Sequence, residues 1–315
     1  MNHNHDLTAA TAAAYDQVGE DYTRYADGDD WLCSGSIGVR GRTDQILWQT
    51  LTSLVETLAN TGQTSISICD AGCGPGTWLM RICLYAEQRG LTVSGYGFDI
   101  SSAQLKIART RQAKLPSSAA KFVDFQFVQA DLSKRLDFSD AAFDIVCCNY
   151  TVLNHIPTES FAIAVSELCR ISRGYVVTTV RALGSNFTAF VTDQSRVRDY
   201  RFDDDKGQLW VELDDASTHT IGLHFYTAYE MQREFSLYTR VLDCRAVNLF
   251  WARFTPDERW TGRLLADTID LADLMGQLTT LEVRYCRDPA WIDHGSQILI
   301  VACKMTKVDL AASRP

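Results

Sequence analysis

Ser65 to Leu79, reading S-I-S-I-C-D-A-G-C-G-P-G-T-W-L, constrains this chain more than any other stretch. Ile66 and Ile68 alternate in a β-branched run, the pattern of a short buried strand. The run ends in Asp70 and turns through Gly72, Gly74 and Gly76. A helix-compatible segment follows, with Thr77 as its expected N-cap, Leu79, Met80, Ile82, Cys83 and Leu84 within it, and Gly90 as its stop. Strand, tight turn and helix is how an open α/β sheet presents a nucleotide site at its first crossover. Glycine lets a ligand lie directly against the backbone there. The spacing then narrows the ligand. A dinucleotide site uses G-x-G-x-x-G, with pyrophosphate on the helix N-terminus. This chain has G-x-G-x-G with an acid two residues ahead of it. Asp70 would repel a pyrophosphate but suits a ligand that carries an ammonium group.

Composition removes other classes. The 30 basic and 39 acidic residues give a net charge of −9, and no Lys/Arg cluster exists to neutralise phosphates. A nucleic-acid partner is therefore not expected. No apolar run approaches the roughly 20 residues that span a bilayer, so no membrane partner is expected either. The absence of Lys or Arg before Arg24 argues against a secretory signal. Of the ten cysteines, Cys69, Cys147, Cys148 and Cys303 sit in apolar strand-like runs, and no C-x-x-C occurs. They read as buried thiols of a reducing cytoplasm, and no metal site is expected.

D-A-G-C-G-P-G resembles motif I of the class I S-adenosylmethionine (SAM)-dependent methyltransferases. The resemblance implies that SAM is the cofactor and that Asp70, Gly72, Gly74 and Gly76 face its aminoacyl end. The second strand, Thr92 to Phe98, leads to Asp99 and Ile100. An acid at that strand end can accept both hydroxyls of a ribose. Gln129-Ala130-Asp131-Leu132 matches the family segment in which the aspartate accepts from the adenine amino group and its neighbour's backbone faces the ring. A helix N-cap is the alternative for Asp131.

The fourth strand, Phe143 to Cys148, runs into N-Y-T-V-L-N-H-I-P, Asn149 to Pro157. In the family this loop lies beneath the transferable methyl, which places Asn149 among both the cofactor and the catalytic residues. His155 titrates near neutrality and can act there as a general base. The alternative is a cap on the helix that begins at Pro157-Thr158-Glu159. A-Y-D-Q-V-G-E-D-Y-T-R-Y, Ala14 to Tyr25, resembles the N-terminal aromatic segment of small-molecule members. That resemblance assigns Tyr15 to the cofactor and Tyr22 to catalysis. Otherwise Tyr15, Val18, Tyr22 and Tyr25 are one packing stripe of a helix.

The whole reads as an α/β, doubly wound, seven-stranded and mostly parallel sheet with helices on both faces. Residues 1–62 form an N-terminal lid and a covering helix, 63–180 the SAM-binding core, 181–225 an inserted β-hairpin, and 226–315 the completion of the sheet. Asp27 to Arg42 is a connection near the cleft. The amphipathic helix Thr43 to Ala59 covers the sheet without chemistry of its own. Ser172-Arg173-Gly174 is a turn, and Gln208–Leu213 with Thr218–Phe225 is the hairpin. The D-D-D-K-G run from Asp203 is a solvated turn. Tyr226–Phe235 is a helix, Arg240–Phe250 a strand, and Leu264, Leu265, Ile269 and Leu271 begin a longer helix before the last strand, Gln297–Lys304. The implied activity is methyl transfer to a small-molecule metabolite or natural product, and a homodimer is allowed. Two alternatives have the same motifs: an enzyme of this fold that cyclises or cleaves SAM or catalyses a non-methylating reaction, and a SAM-binding regulator without turnover.

Overall fold

A computed structural model describes residues 7–17, 42–115, 122–185, 197–203, 206–250 and 271–305. In chain order the strands are β1 (Ser65–Ala71), β2 (Thr92–Asp99), β3 (Val123–Gln129), β4 (Phe143–Cys148), β5 (Ser172–Arg181), β6 (Val197–Asp203), β7 (Gln208–Leu213), β8 (Thr218–Gly222), β9 (Thr239–Val247) and β10 (Gln297–Lys304). The helices are α1 (7–17), α2 (Arg42–Asn60), α3 (Thr77–Gln88), α4 (Ser102–Ala113), α5 (Phe161–Ile171), α6 (Ala228–Ser236) and α7 (Leu271–Tyr285). The main sheet has seven strands in the order β3-β2-β1-β4-β5-β10-β9. β10 runs antiparallel to both neighbours, and the pairs from β3 to β5 are parallel. The doubly wound expectation holds.

Register sets up the site. Asp70 pairs with Gly97 and with Cys147, while Asp99 pairs with Gln129. The carboxyl ends of β3, β2, β1 and β4 thus finish at one rim, and the strand order reverses between β1 and β4. Ligands bind at such a switch point. β4 is buried along its whole length: Ile145 to Cys148 are apolar on both faces, and its one charged residue, Asp144, is paired with Arg173. One face of the sheet is covered by α2, α3 and α4, burying Leu47, Leu51, Leu79, Met80 and Leu105. The other is covered by α5 and α6, burying Leu168, Met231 and Phe235.

Several boundaries differ from expectation, each for a local reason. α3 is capped by Gly76 at φ 77°, not by Thr77, because the chain must reverse directly after the strand. α6 begins at Ala228 because Thr227 and Glu230 form a capping box. Ser172-Arg173-Gly174 is no turn: α5 passes directly into β5, and Ser172 pairs with Phe143. Arg173 holds Asp144 of β4 at 2.7 Å, and a Cβ at Gly174 would strike the Asp144 carbonyl oxygen. β9 ends at Val247, short of Phe250, where Asn248 takes φ 60°. The insertion is a three-stranded sheet, β6-β7-β8, with its own core of Leu209, Val211, Leu213, Leu223 and Phe225. Asp203 closes its turn by accepting from the Lys206 backbone at 3.1 Å and its ammonium at 2.7 Å. Cys69, Cys147 and Cys148 are buried thiols, and Cys303 is only half-buried. Residues Asp27–Gly41 of the expected connection, with Leu264, Leu265 and Ile269, lie outside the described residues. No described helix is long and apolar enough to cross a membrane.

Candidate active site

The glycine turn is folded against the end of β2. The Gly72 and Cys73 amides both donate to the Phe98 carbonyl, at 2.8 and 3.0 Å. Gly72 has φ 68°, and a Cβ there would strike Cγ2 of Val152. Gly74 is the contrasting case. Its φ is 51°, and a Cβ would meet nothing within 4 Å, so its Cα faces open cavity. The Gly74 amide donates to Asp99 Oδ2 at 2.8 Å, while Asp99 Oδ1 accepts from the Ser101 amide at 2.9 Å. Asp99 therefore ties the turn to α4, and an ionised carboxylate keeps further lone pairs for a ligand. Burial raises its pKa, against the lowering effect of those backbone donors.

Asp131 also has a local role. Its Oδ1 accepts from the Ser133 amide and hydroxyl at 2.9 and 2.6 Å, and Lys134 reaches its Oδ2 at 2.7 Å. Partial burial raises its pKa, but Lys134 and Ser133 outweigh this and the net shift is downward. Asp70 has the opposite setting. Burial, and then the like charge of Asp99, push its carboxyl up to about 7.

One cavity brings together Tyr15, Asp70, Gly72, Gly74, Asp99, Ile100, Ala130, Asp131, Leu132, Asn149 and His155. Gly76 is not in its wall: its amide donates to Cys73, and a Cβ would strike Met80 and Phe127 at 2.9 and 3.0 Å. It shapes the turn from behind. Tyr22 lies outside the described residues.

The structure adds residues that the sequence reading passed over. α2 does more than cover the sheet: Asp44 in its first turn lines the cavity and is buried. It accepts from the Tyr150 hydroxyl at 2.5 Å. Trp78, Arg81 and Tyr150 line the same wall. An acid two residues into an amphipathic helix was the available signal, but the sequence does not say what lies opposite it.

α1 contributes Thr8, Thr11 and Tyr15 to the wall and is tied to α4 on one side and to β8 and His155 on the other. Asp16 accepts from the Ser101 hydroxyl at 2.6 Å and the Ala103 amide at 3.0 Å, supplying an anion to the N-terminus of α4. The Thr11 hydroxyl accepts from the Gly222 amide of β8 at 3.2 Å. His155 makes the third tie. Its Nδ1 lies 2.5 Å from the Gly222 carbonyl, which can only accept, so Nδ1 carries the proton. Nε2 is then the acceptor for the Tyr15 hydroxyl, 2.9 Å away. The ring does not cap the following 3-10 helix (Thr158–Ser160), whose N-cap is Pro157 without a side-chain bond. Burial lowers the His155 pKa from 6.5 to about 4.

That shift has a pH signature. A histidine whose folded pKa is depressed contributes stability that is complete above its unfolded pKa and lost as pH falls through the folded value. The His155 contribution to the unfolding free energy should therefore be lost between pH 6.5 and about 4, by up to about 3 kcal/mol, reduced by the ring's partial exposure to the cavity. Asp70 titrates with the opposite slope in this window, so the contribution is read as the difference in urea unfolding free energy between the parent and His155→Gln, which keeps a donor and an acceptor without the titration. That difference should shrink as pH falls from 6.5 to about 4; a difference independent of pH would show that His155 does not carry it.

The residues fit SAM by their own chemistry. Both polar atoms of the buried Asn149 side-chain amide lack a hydrogen-bond partner, and the residue lines the cavity. The open space at Gly74 leaves room for a ligand against the backbone, and the disfavoured ionisation of Asp70 is relieved by a ligand with a cationic end.

Comparison with known proteins agrees. Residues 68–174 match the family described as "Methyltransferase domain". Over 76 residues the chain is 37% identical to the indolepyruvate C-methyltransferase of Streptomyces griseus, covering 24% of this chain and 19% of that one. Over 134 residues it is 29% identical to the probable methyltransferase ltbC of Aspergillus luteorubrus, covering 41% and 45%. The chain thus matches less than half the length of either curated relative. Its fold is similar to magnesium protoporphyrin IX methyltransferase from Synechocystis PCC 6803, solved with bound S-adenosylhomocysteine (SAH). There the TM-score is 0.53 at 16% identity, over 95% of this chain and 99% of that one. Residues 68–174 are thus a methyltransferase domain, carried on a sheet whose motif turn and strand order are similar to those of the class I SAM-dependent methyltransferases.

Proposed function

We propose that the protein transfers the methyl group of SAM to a small-molecule acceptor. The observation that carries this reading is the unpartnered Asn149 amide at the end of β4, in the same cavity as Asp70, Gly74 and Asp99. Asp70 would hold the ammonium end of SAM, Asp99 the ribose, and Ala130, Asp131 and Leu132 the adenine. Bound SAM supplies an activated methyl on a good leaving group, so the protein's work is alignment and exclusion of water.

The chain's own residues divide that work. α1 acts as a lid, tied across the cavity by Asp16, Thr11 and Tyr15. His155 is the acceptor that aims the Tyr15 hydroxyl; an imidazole with a pKa near 4 is a weak base at neutral pH. An acidic surface, at net charge −9, favours a metabolite over nucleic acid. The Streptomyces griseus relative is named for methylation of indolepyruvate, a small molecule, which supports an acceptor of that size.

Incubation with methyl-labelled SAM and fractionated metabolites tests the reading. The expected result is a labelled product with stoichiometric SAH. Accumulation of methylthioadenosine without a labelled product would overturn it in favour of SAM cleavage.

A further inference from the structure

The wall of the cavity nearest β4 is aromatic. Trp78, in the first turn of α3, and Tyr150, two residues past β4, both line it, with ring centroids 5.9 Å apart and planes inclined at 42°. Neither ring is fully buried. Behind Trp78 stand Trp48 of α2, at 6.4 Å, and then Tyr85 of α3, 5.5 Å from Trp48. The Arg81 guanidinium lies 5.7 Å from the Trp78 centroid and braces the indole from its own helix.

Tyr150 is held there at a cost. Its φ is 57°, a left-handed conformation that a bulky residue adopts only when its surroundings impose it. Those surroundings are visible: its amide donates to the Thr179 hydroxyl at 2.6 Å, and its own hydroxyl donates to Asp44 at 2.5 Å. A tyrosine that merely filled core would have no need of this backbone. The arrangement instead aims one ring into a cavity beside another.

This wall is not the adenine position. The strand order puts β2 and β1 between β3 and β4, so the wall stands at the other end of the cavity from the residues that follow β3. Next to Tyr150 sits Asn149, with both its amide oxygen and its amide nitrogen buried and unpartnered. Flat rings gain from tilted or offset contacts with other rings, beyond the area they bury. A buried amide without partners gains from a ligand that supplies both a donor and an acceptor.

We infer that the acceptor is a flat aromatic molecule, laid against the Trp78–Tyr150 wall, with a polar substituent hydrogen-bonded by the Asn149 amide. The inference rests on the methyl-transfer reading, since it takes the far end of the cavity to be the cofactor's.

Calorimetry on SAH-saturated protein tests it, with 2-naphthol, naphthalene and decahydro-2-naphthol as probes. Two ring contacts predict that 2-naphthol binds at least about tenfold more tightly than its saturated analogue. Trp78→Leu and Tyr150→Leu should each reduce that preference at least about threefold, while Tyr150→Phe, which keeps the ring, should retain it. Asn149→Leu should weaken 2-naphthol but not naphthalene. SAH affinity of the Trp78 and Tyr150 variants reports whether the fold and cofactor end are intact, and thermal unfolding does so for Asn149→Leu. Equal affinity for the aromatic and saturated probes, no binding of 2-naphthol, or an unchanged preference in both leucine variants overturns the inference. If the parent protein fails to bind SAH, the methyl-transfer reading falls first; if it binds SAH without preferring the aromatic probe, only this inference falls.

Discussion

Asp70→Asn should make the ligand-free protein more stable at pH 8 and leave it poorly able to hold SAH. Asp70 is 5% exposed, and its carboxyl is pushed from 3.8 to about 7. For an acid whose folded pKa is raised, stability is complete below the unfolded pKa and is lost as pH rises through the folded one. Above pH 7 the free protein therefore carries a buried, ionised carboxylate beside Asp99. Asparagine keeps the volume and removes the charge, so the gain at pH 8 should be about 2–4 kcal/mol, shrinking towards zero below pH 4.

SAH binding should weaken about 10–100-fold, the loss of a hydrogen bond to a charged group. The same linkage predicts that SAH binding to the parent at pH 6 releases a proton, because a ligand ammonium favours the ionised carboxylate. Calorimetry in buffers of different ionisation enthalpy measures that release. Asp70→Asn protein that is less stable than the parent at pH 8, or that binds SAH equally well, would contradict this assignment.

Two glycines in one turn should fail in different ways. Gly74→Val places its side chain in open cavity, so the main expense to the fold is a left-handed φ, about 1–2 kcal/mol. Cofactor affinity should nevertheless fall by more than about 100-fold, because the branched side chain occupies ligand space. Gly72→Val collides with the Val152 side chain in addition to its own positive φ. It should destabilise the fold by about 2–4 kcal/mol. Thermal unfolding alongside SAH titration separates the two outcomes. Tight SAH binding by Gly74→Val protein would place the cofactor elsewhere.

The parts of this site that were legible in the sequence are those set by local geometry. A strand that ends in an acid and turns through glycines delivers Asp70, Gly72 and Gly74 to a rim, and two further strands deliver Asp99 and Asp131 to the same rim. Parallel register makes that convergence automatic, because each crossover returns the chain to the same edge of the sheet. Amphipathic periodicity likewise determined which face of α2 is buried.

What only the tertiary structure decided are encounters between residues far apart in the chain. Asp44 meets Tyr150 across 106 positions, and Tyr15 meets His155 across 140. No period or motif encodes such a meeting, because it depends on how α1 and α2 pack across the cavity. The same holds for His155, which as an isolated residue near neutrality reads as a base. Burial and the Gly222 carbonyl turn it into a neutral acceptor with a fixed tautomer. Trp78 reads as an ordinary helix residue until the left-handed backbone of Tyr150 brings a second ring beside it. Local rules thus placed the acids at the rim of the sheet, while the packing of separate elements built the aromatic wall beside them.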